Sequence, residues 1–449
     1  MKKLKNIIEN KHLKEILSGS LITFCLSLAG MLLSYLVMLA LTKKFGAAAF
    51  GIFTTLLSFI TLAGTLSTIG TNISVLRFVG QLNSSTEDYA VLLLYKSLIK
   101  IILPISTLMA LCVYFLSNKI ANNYFEMPSL DYSVKLTSIL IPFASLLVLN
   151  IEFIRGLKMV RYSEFLRSVC RNIIILIILS PIFFKFINNI TSPIIIVVDV
   201  LLISVFVTSL LSIFIVIRYF IKLNTKLRSK EGLEVESLSI REIVKTSFPL
   251  FIVTGCSTAL GSIGFFILPL YSSASSVGVF SVAIKISMLS GLILIIINTI
   301  AAPKFSELFW SRQINELQKT INLSTKLSVI FSIIPSLLIF FYPEKILGLF
   351  GKEFIEAKII LIILTIEQLI NSMTGSAGLL LTMTGLEKVA QKIMISGFTF
   401  AVITNIVLIK TYGLLGAAIS MLLTSILIRS LNVYHVKKRL GLSTVNFLK

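Results

Sequence analysis

Ala47-Ala48-Ala49-Phe50-Gly51-Ile52-Phe53 returns as Ala274-Ser275-Ser276-Val277-Gly278-Val279-Phe280, with alanine, glycine and phenylalanine at the same three places and a shift of 227 residues between the copies. The same shift lays Gly64 on Gly291 and Arg77-Phe78 on Lys304-Phe305. Upstream it lays Ser20, Ser27, Gly30 and Ser34 on Ser247, Thr254, Ser257 and Gly261. After two inserted residues, Gly156-Leu157-Lys158 meets Gly385-Leu386-Glu387. Two Leu/Ile-rich helices match by chance easily, but glycines, serines and basic residues at one offset do not. The chain reads as an internal duplication, a recurrent plan of membrane transporters.

The background around this repeat is strongly apolar. Hydrophobic residues make up 56% of the 449 and charged residues 14%, with a mean hydropathy of +0.97, values that exclude an ordinary soluble domain. Twelve stretches are long enough to cross a hydrocarbon core as helices, each needing about 20 apolar residues. They cover 17–41, 48–71, 99–117, 136–154, 169–187, 193–217, 247–271, 277–300, 322–342, 356–381, 388–409 and 412–434. The first follows five lysines, yet its apolar run is too long for the core of a secretory signal, and it is read as retained.

Placing both termini and alternate loops in the cytoplasm puts most of the 41 Lys and Arg there, a positive-inside bias. Loops beside anionic headgroups account for the formal charge of +21 without a nucleic-acid partner. The longest connection on that side, 218–246, divides six spans from six. Because six is even, both halves start and finish on one side. The expectation is an all-α integral membrane protein of twelve transmembrane helices. Two parallel six-helix bundles, 1–217 and 247–449, are joined by a cytoplasmic linker and related by a pseudo-two-fold axis along the membrane normal.

Cysteine and histidine carry no chemistry here. Cys25, Cys112, Cys170 and Cys256 lie in or at apolar spans without metal-ligand spacing, and His12 and His435 lie near the termini. No cofactor or metal is expected. Charges inside spans carry more meaning, since each costs roughly 2.5–3.5 kcal/mol to insert near the bilayer centre. Lys285 sits in span eight with Gly278 and Ser281 on its face, opposite Ser287, Ser290, Gly291 and Asn298. Glu367, in span ten, is followed by Asn371, Thr374 and Gly378 on one stripe, which ought to line water or protein. Asp199 lies nearer the end of span six, with Ile203 and Phe206 on its face, where it can reach the interface. The stripe Ser20, Thr23, Ser27, Gly30 and Ser34 permits close helix packing; its functional reading has spans one and seven facing each other along a cleft. Arg77 and Lys304, at equivalent repeat positions on the cytoplasmic side, would form a basic vestibule for a phosphate-bearing headgroup.

The Ala47–Phe53 run, the Gly-Leu-Glu-Lys turn at Gly385–Lys388 and the Tyr-Gly-Leu-Leu-Gly-Ala-Ala run at Tyr412–Ala418, within twelve spans in two halves, resemble the polysaccharide-transporter branch of the multidrug/oligosaccharidyl-lipid/polysaccharide exporter superfamily. The resemblance covers nearly the whole chain and implies a bacterial inner-membrane flippase for O-antigen or capsule repeat units, working by alternating access. It further implies a polyprenyl pyrophosphate-linked glycan as cargo, membrane lipid around the prenyl tail, H+ or Na+ as a coupling ion, and a polysaccharide polymerase with other assembly proteins as partners. In that frame Lys285, Glu367, Asn371, Arg77 and Lys304 are the candidate substrate-binding residues, and Glu367 and Asp199 the candidates for ion coupling. A cation-coupled multidrug exporter of the same superfamily remains the alternative, although span one lacks an acid. An enzyme, either a membrane glycosyltransferase or a glycan polymerase, is disfavoured because the loops are mostly short and the longest has no DxD-type motif.

Overall fold

The computed structural model describes residues 11–83, 88–124, 128–183, 193–227 and 240–445; the middle of the expected linker, 228–239, lies outside the described residues. What is described is helical, with no strand. Eight helices are individually long and apolar enough to cross a membrane. Two of them hold two passes each. α1 (Lys11–Ser67) and α14 (Glu387–Leu440) run for 57 and 54 residues, about 80 Å or more at 1.5 Å per residue against a core of about 30 Å. Each contains one non-helical residue, Gly46 (φ 79°) and Gly413 (φ 56°), in the positive-φ region that glycine enters without a Cβ penalty. Past Gly413 the chain doubles back: a Cβ on Gly416 would lie 1.9 Å from the Leu408 carbonyl oxygen, and the hydroxyls of Thr404 and Ser420 meet at 2.7 Å.

Two further passes are interrupted helices. Span five is assembled from α5 (Val160–Glu164), a π-helical turn (Phe165–Cys170) and α6 (Arg171–Phe183). Span ten is α12 (Lys358–Thr374) followed by α13 (Ala377–Met383), broken at Gly375 with φ 61°. The remaining passes are α3 (Asp88–Lys119), α4 (Asp131–Gly156), α7 (Pro193–Leu227), α8 (Ile240–Ile267), α9 (Ala274–Trp310) and α10 (Ile314–Phe341). Between them lie the short α2 (Thr71–Asn83) and α11 (Pro343–Gly348). Among the described residues this makes twelve spanning passes at the places read from sequence: the chain is an all-α, multi-pass membrane protein. Large apolar side chains such as Phe115, Leu108, Ile334 and Phe341 stay exposed, which lipid, unlike water, tolerates.

The helices gather into two compact units. Unit one is Met1–Ala40 with Leu56–Thr258, and unit two is Leu41–Thr55 with Ala259–Lys449. Unit one centres on a cluster that includes Leu98, Ile102, Leu149 and Phe153, inside which the Tyr95 hydroxyl donates to Asn150 at 2.7 Å and Asn150 donates to Ser212 at 3.0 Å. The first residues of α8 belong to this unit: the hydroxyls of Ser74 and Ser247 meet at 2.6 Å. Unit two centres on Phe305, Leu317, Ile321 and Leu380 and includes the bend of α1. There Gly51 and Gly278 sit against each other's helix, with a Cβ on Gly51 falling 2.0 Å from the Ala274 oxygen and one on Gly278 falling 2.0 Å from the Ala47 oxygen. Between apolar helices in lipid, such close approach and small polar side chains supply the attraction that the hydrophobic effect does not.

Candidate functional site

Unit two holds a half-open cavity of about 210 Å³ whose walls come from five passes. α8 contributes Leu260, Gly261, Gly264 and Phe265, α9 contributes Phe280 and Ile284, and α12 contributes Glu367. The two limbs of α14 add Asn405 on one side of the bend and Thr424, Ser425 and Arg429 on the other. A Cβ on Gly261 would meet nothing within 4 Å, so the open space of the cavity reaches the backbone there. Phe280 and Phe265 stand edge to face with centroids 6.2 Å apart.

Glu367 is the buried acid of this cavity, 5% exposed. One of its oxygens accepts from the Ser425 hydroxyl at 2.6 Å and the other from the Gln368 amide at 2.7 Å. A carboxylate in low dielectric needs such donors. Arg429 follows Ser425 by one helical turn and acts on Glu367 electrostatically. It makes no direct ion pair and no hydrogen bond among the described residues. Thr424 is 5% exposed, and its buried hydroxyl has no hydrogen-bond partner.

Lys285 does not line this cavity, although its chain neighbour Ile284 does. Its ammonium lies over the Phe50 ring, 5.5 Å from the centroid, a cation–π placement that replaces part of the lost hydration. The opposite side of α9 packs as the sequence pattern requires, with Gly291 against Gln368 and Asn298 accepting from Ser376. The polar stripe of span ten faces α14 along part of its length. Glu367 meets Ser425, and Gly378 lies against Asn432, where a Cβ would be 3.2 Å from the amide nitrogen. Asn371, between them, has a buried Oδ1 without a partner. Thr374 bonds back to the carbonyls of Ile370 and Asn371.

The other candidates disperse. Lys304 is exposed and bonded to Glu307 at 2.9 Å. The Arg77 side chain lies outside the described residues. Asp199 is half-buried on α7, on the face that carries the exposed Ile203 and Phe206. Of the small-residue stripe in span one, Ser27 and Gly30 meet span five: Ser27 donates to Glu164 at 2.8 Å, and a Cβ on Gly30 would lie 2.5 Å from the Ser168 oxygen.

Sequence reasoning passed over Arg429 and Glu164. Arg429 lies within span twelve, one turn after Ser425, and the rule that singled out Lys285 applies to it equally. Glu164 is 6% exposed and accepts from Ser168 as well as Ser27, each at 2.8 Å. It is bordered by Arg167, which also pairs with Glu152 at 2.6 Å. Its signal was the Glu164, Ser168, Asn172 spacing of four, one face of a helix; Asn172 donates to the Gly30 carbonyl at 3.0 Å.

Comparison with known proteins places this architecture. The structure is similar to that of the lipid II flippase MurJ in an inward closed conformation (TM-score 0.71, 16% identity, 94% of this chain and 87% of that one). It is also similar to a multidrug resistance MATE family transporter of the MOP superfamily, outward-facing (TM-score 0.66, 18% identity, 95% and 96%) and inward-facing (0.66, 16%, 94% and 98%). These likenesses establish the fold. In sequence, 201 residues are 28% identical to the capsular polysaccharide biosynthesis protein CapF of Staphylococcus aureus, 44% of this chain and 50% of that protein, so the match spans about half the length of that relative. The model of the polysaccharide biosynthesis protein family matches residues 16–309. With well over half its length so matched and its helices arranged as in the MOP transporters, the chain belongs to the polysaccharide biosynthesis protein family.

Proposed function

We propose that this protein is a flippase that carries a polyprenyl pyrophosphate-linked oligosaccharide repeat unit from the cytoplasmic to the outer leaflet of a bacterial plasma membrane, for surface polysaccharide such as O-antigen or capsule. The observation that carries the reading is the charge held inside the spans of a family member in polysaccharide biosynthesis: Lys285 on α9, Glu367 on α12 and Arg429 on α14. A diphosphate and its sugars cannot cross hydrocarbon unaided, and each ionised side chain in a span is costly unless it serves a polar path. Lys285, with Arg77 and Lys304 toward the cytoplasmic entrance, compensates the diphosphate while the prenyl tail stays in lipid. The halves 1–217 and 247–449 alternate in access, a cycle for which the inward- and outward-facing relatives of the same fold are the precedent. Both termini are cytoplasmic, and Glu367, with Asp199 as the lesser candidate, couples the cycle to H+ or Na+. The polymerase that consumes the flipped unit is the natural partner.

The test is flipping of a polyprenyl diphosphate-linked glycan by the purified protein in vesicles. Lys285→Ala is expected to slow it by about ten-fold or more, the equivalent of about 1.4 kcal/mol in a barrier, and Lys285→Arg to retain most of it. Unchanged flipping in Lys285→Ala removes the diphosphate role from this residue.

A further inference from the structure

The cavity of unit two has a chemistry that compensation of a diphosphate does not use. Its polar groups come with both signs and both hydrogen-bonding senses. Arg429 offers N–H donors that nothing among the described residues accepts, and Thr424 brings a buried hydroxyl with no partner. Each Glu367 oxygen has one donor already and lone pairs to spare. The rest of the wall is apolar and partly aromatic, led by Phe265 and Phe280. At Gly261 the space reaches the backbone itself.

Each simple class of ligand fails against part of this wall. A lone cation at Glu367 leaves Arg429 and Thr424 unserved, and a lone anion meets the carboxylate. A purely apolar molecule leaves the half-buried Arg429 guanidinium and the buried Thr424 hydroxyl unpaired, which low dielectric penalises. An uncharged pyranose satisfies all of them. Its hydroxyls donate to Glu367, other ring and hydroxyl oxygens accept from Arg429 and Thr424, and its C–H face lies on an aromatic ring.

We infer that this cavity is a subsite for one uncharged sugar residue of the transported glycan, with Arg429 and Thr424 as binding residues beside Glu367. The inference rests on the flippase reading for its cargo, but it places the sugar inside a single unit and names groups that reading does not need. It also assigns Gly261 a purpose, because any larger side chain there projects into the space the ring would fill.

Two measurements on the full-length protein separate the subsite from the flippase reading. In vesicles, flipping is compared for bare polyprenyl diphosphate and for the same lipid bearing one neutral N-acetylhexosamine. Gly261→Phe and Arg429→Gln are expected to slow the glycosylated lipid about ten-fold more than the bare one, with melting temperatures recorded to show that both variants fold. In lipid nanodiscs, saturation-transfer NMR with a methyl N-acetylhexosaminide is expected to mark the ring protons in the wild type and lose that signal in Gly261→Phe. Equal losses for both lipids, as a coupling-ion site would give, or no loss for either, overturn the subsite. So does an absent NMR signal in the wild type. A wild type that binds the glycoside but flips neither lipid overturns the flippase reading and leaves the subsite standing.

Discussion

The Thr54 and Ser281 hydroxyls meet at 2.8 Å, and the two residues are 227 positions apart, the shift that superposes the two halves of the sequence. A residue that bonds to its own counterpart lies on a local two-fold axis. Gly51 and Gly278 obey the same axis, each pressed on the alanine that precedes its counterpart by four, Ala274 and Ala47. The duplicated motif thus meets itself within unit two.

Gly51→Ala and Gly278→Ala are expected to destabilise the protein by similar amounts, about 1–3 kcal/mol each, because a methyl 2.0 Å from a carbonyl oxygen forces two backbones apart. Thermal melting in detergent measures it. Their combination costs less than the sum, since one separation of the helices relieves both clashes. A silent single variant refutes the contact.

Removing the Thr54–Ser281 bond with Thr54→Val and Ser281→Ala is a milder change. A double-mutant cycle is expected to give a coupling of about 0.6 kcal/mol, the usual value for a hydroxyl pair between membrane helices. A coupling indistinguishable from zero contradicts the geometry.

Glu164→Ala is expected to cost about 3 kcal/mol, because it leaves two serine hydroxyls without their acceptor and Arg167 with one carboxylate fewer. Lys304→Ala breaks an exposed pair and is expected to cost under about 1 kcal/mol. The order of the two melting temperatures checks the assignment.

At Glu367, the Gln variant keeps an acceptor for the Ser425 hydroxyl and the Ala variant does not. Glu367→Ala is expected to fall below Glu367→Gln in stability by about 1–3 kcal/mol. Equal melting curves place the carboxylate outside that hydrogen bond.

Just beyond the end of span nine, Glu344 accepts from the Lys358 ammonium at 2.7 Å, a bond that holds its carboxyl below its ordinary range. A depressed acid stabilises the fold above its unfolded pKa, and the contribution disappears as pH falls through the folded value. The melting-temperature difference between wild type and Glu344→Gln is therefore expected in full at neutral pH, to shrink below the ordinary glutamate range, and to vanish once pH has fallen through the depressed folded value. A difference that persists there excludes this pair as its source.

Much of the fold was legible because lipid imposes a simple rule on sequence: a pass needs an apolar run, and its ends collect cations. The repeat was legible through Gly51 and Gly278, since only glycine serves where a Cβ has no room. Glu367 stood out because a carboxylate in an apolar run cannot be ignored. The break at Gly375 was not legible, for the stripe Glu367, Asn371, Thr374 and Gly378 keeps helical spacing across it. Arg429 was hidden by its place five residues from the nominal end of a span, where an arginine usually anchors the interface. Only the fold of α14 back on itself brings its turn to Glu367. Glu164 was hidden likewise, at the edge of span five, until Gly30 admits it to the first span.

The bends at Gly46 and Gly413 carry a mechanical implication. A corner made from one residue leaves no slack in length, so neither span of such a pair can slide along its axis without carrying the end of its neighbour with it. Spans one and two, and spans eleven and twelve, are on this account paired levers rather than separate rods. Lengthening either corner with a few flexible residues would let the limbs slide independently while sparing each helix.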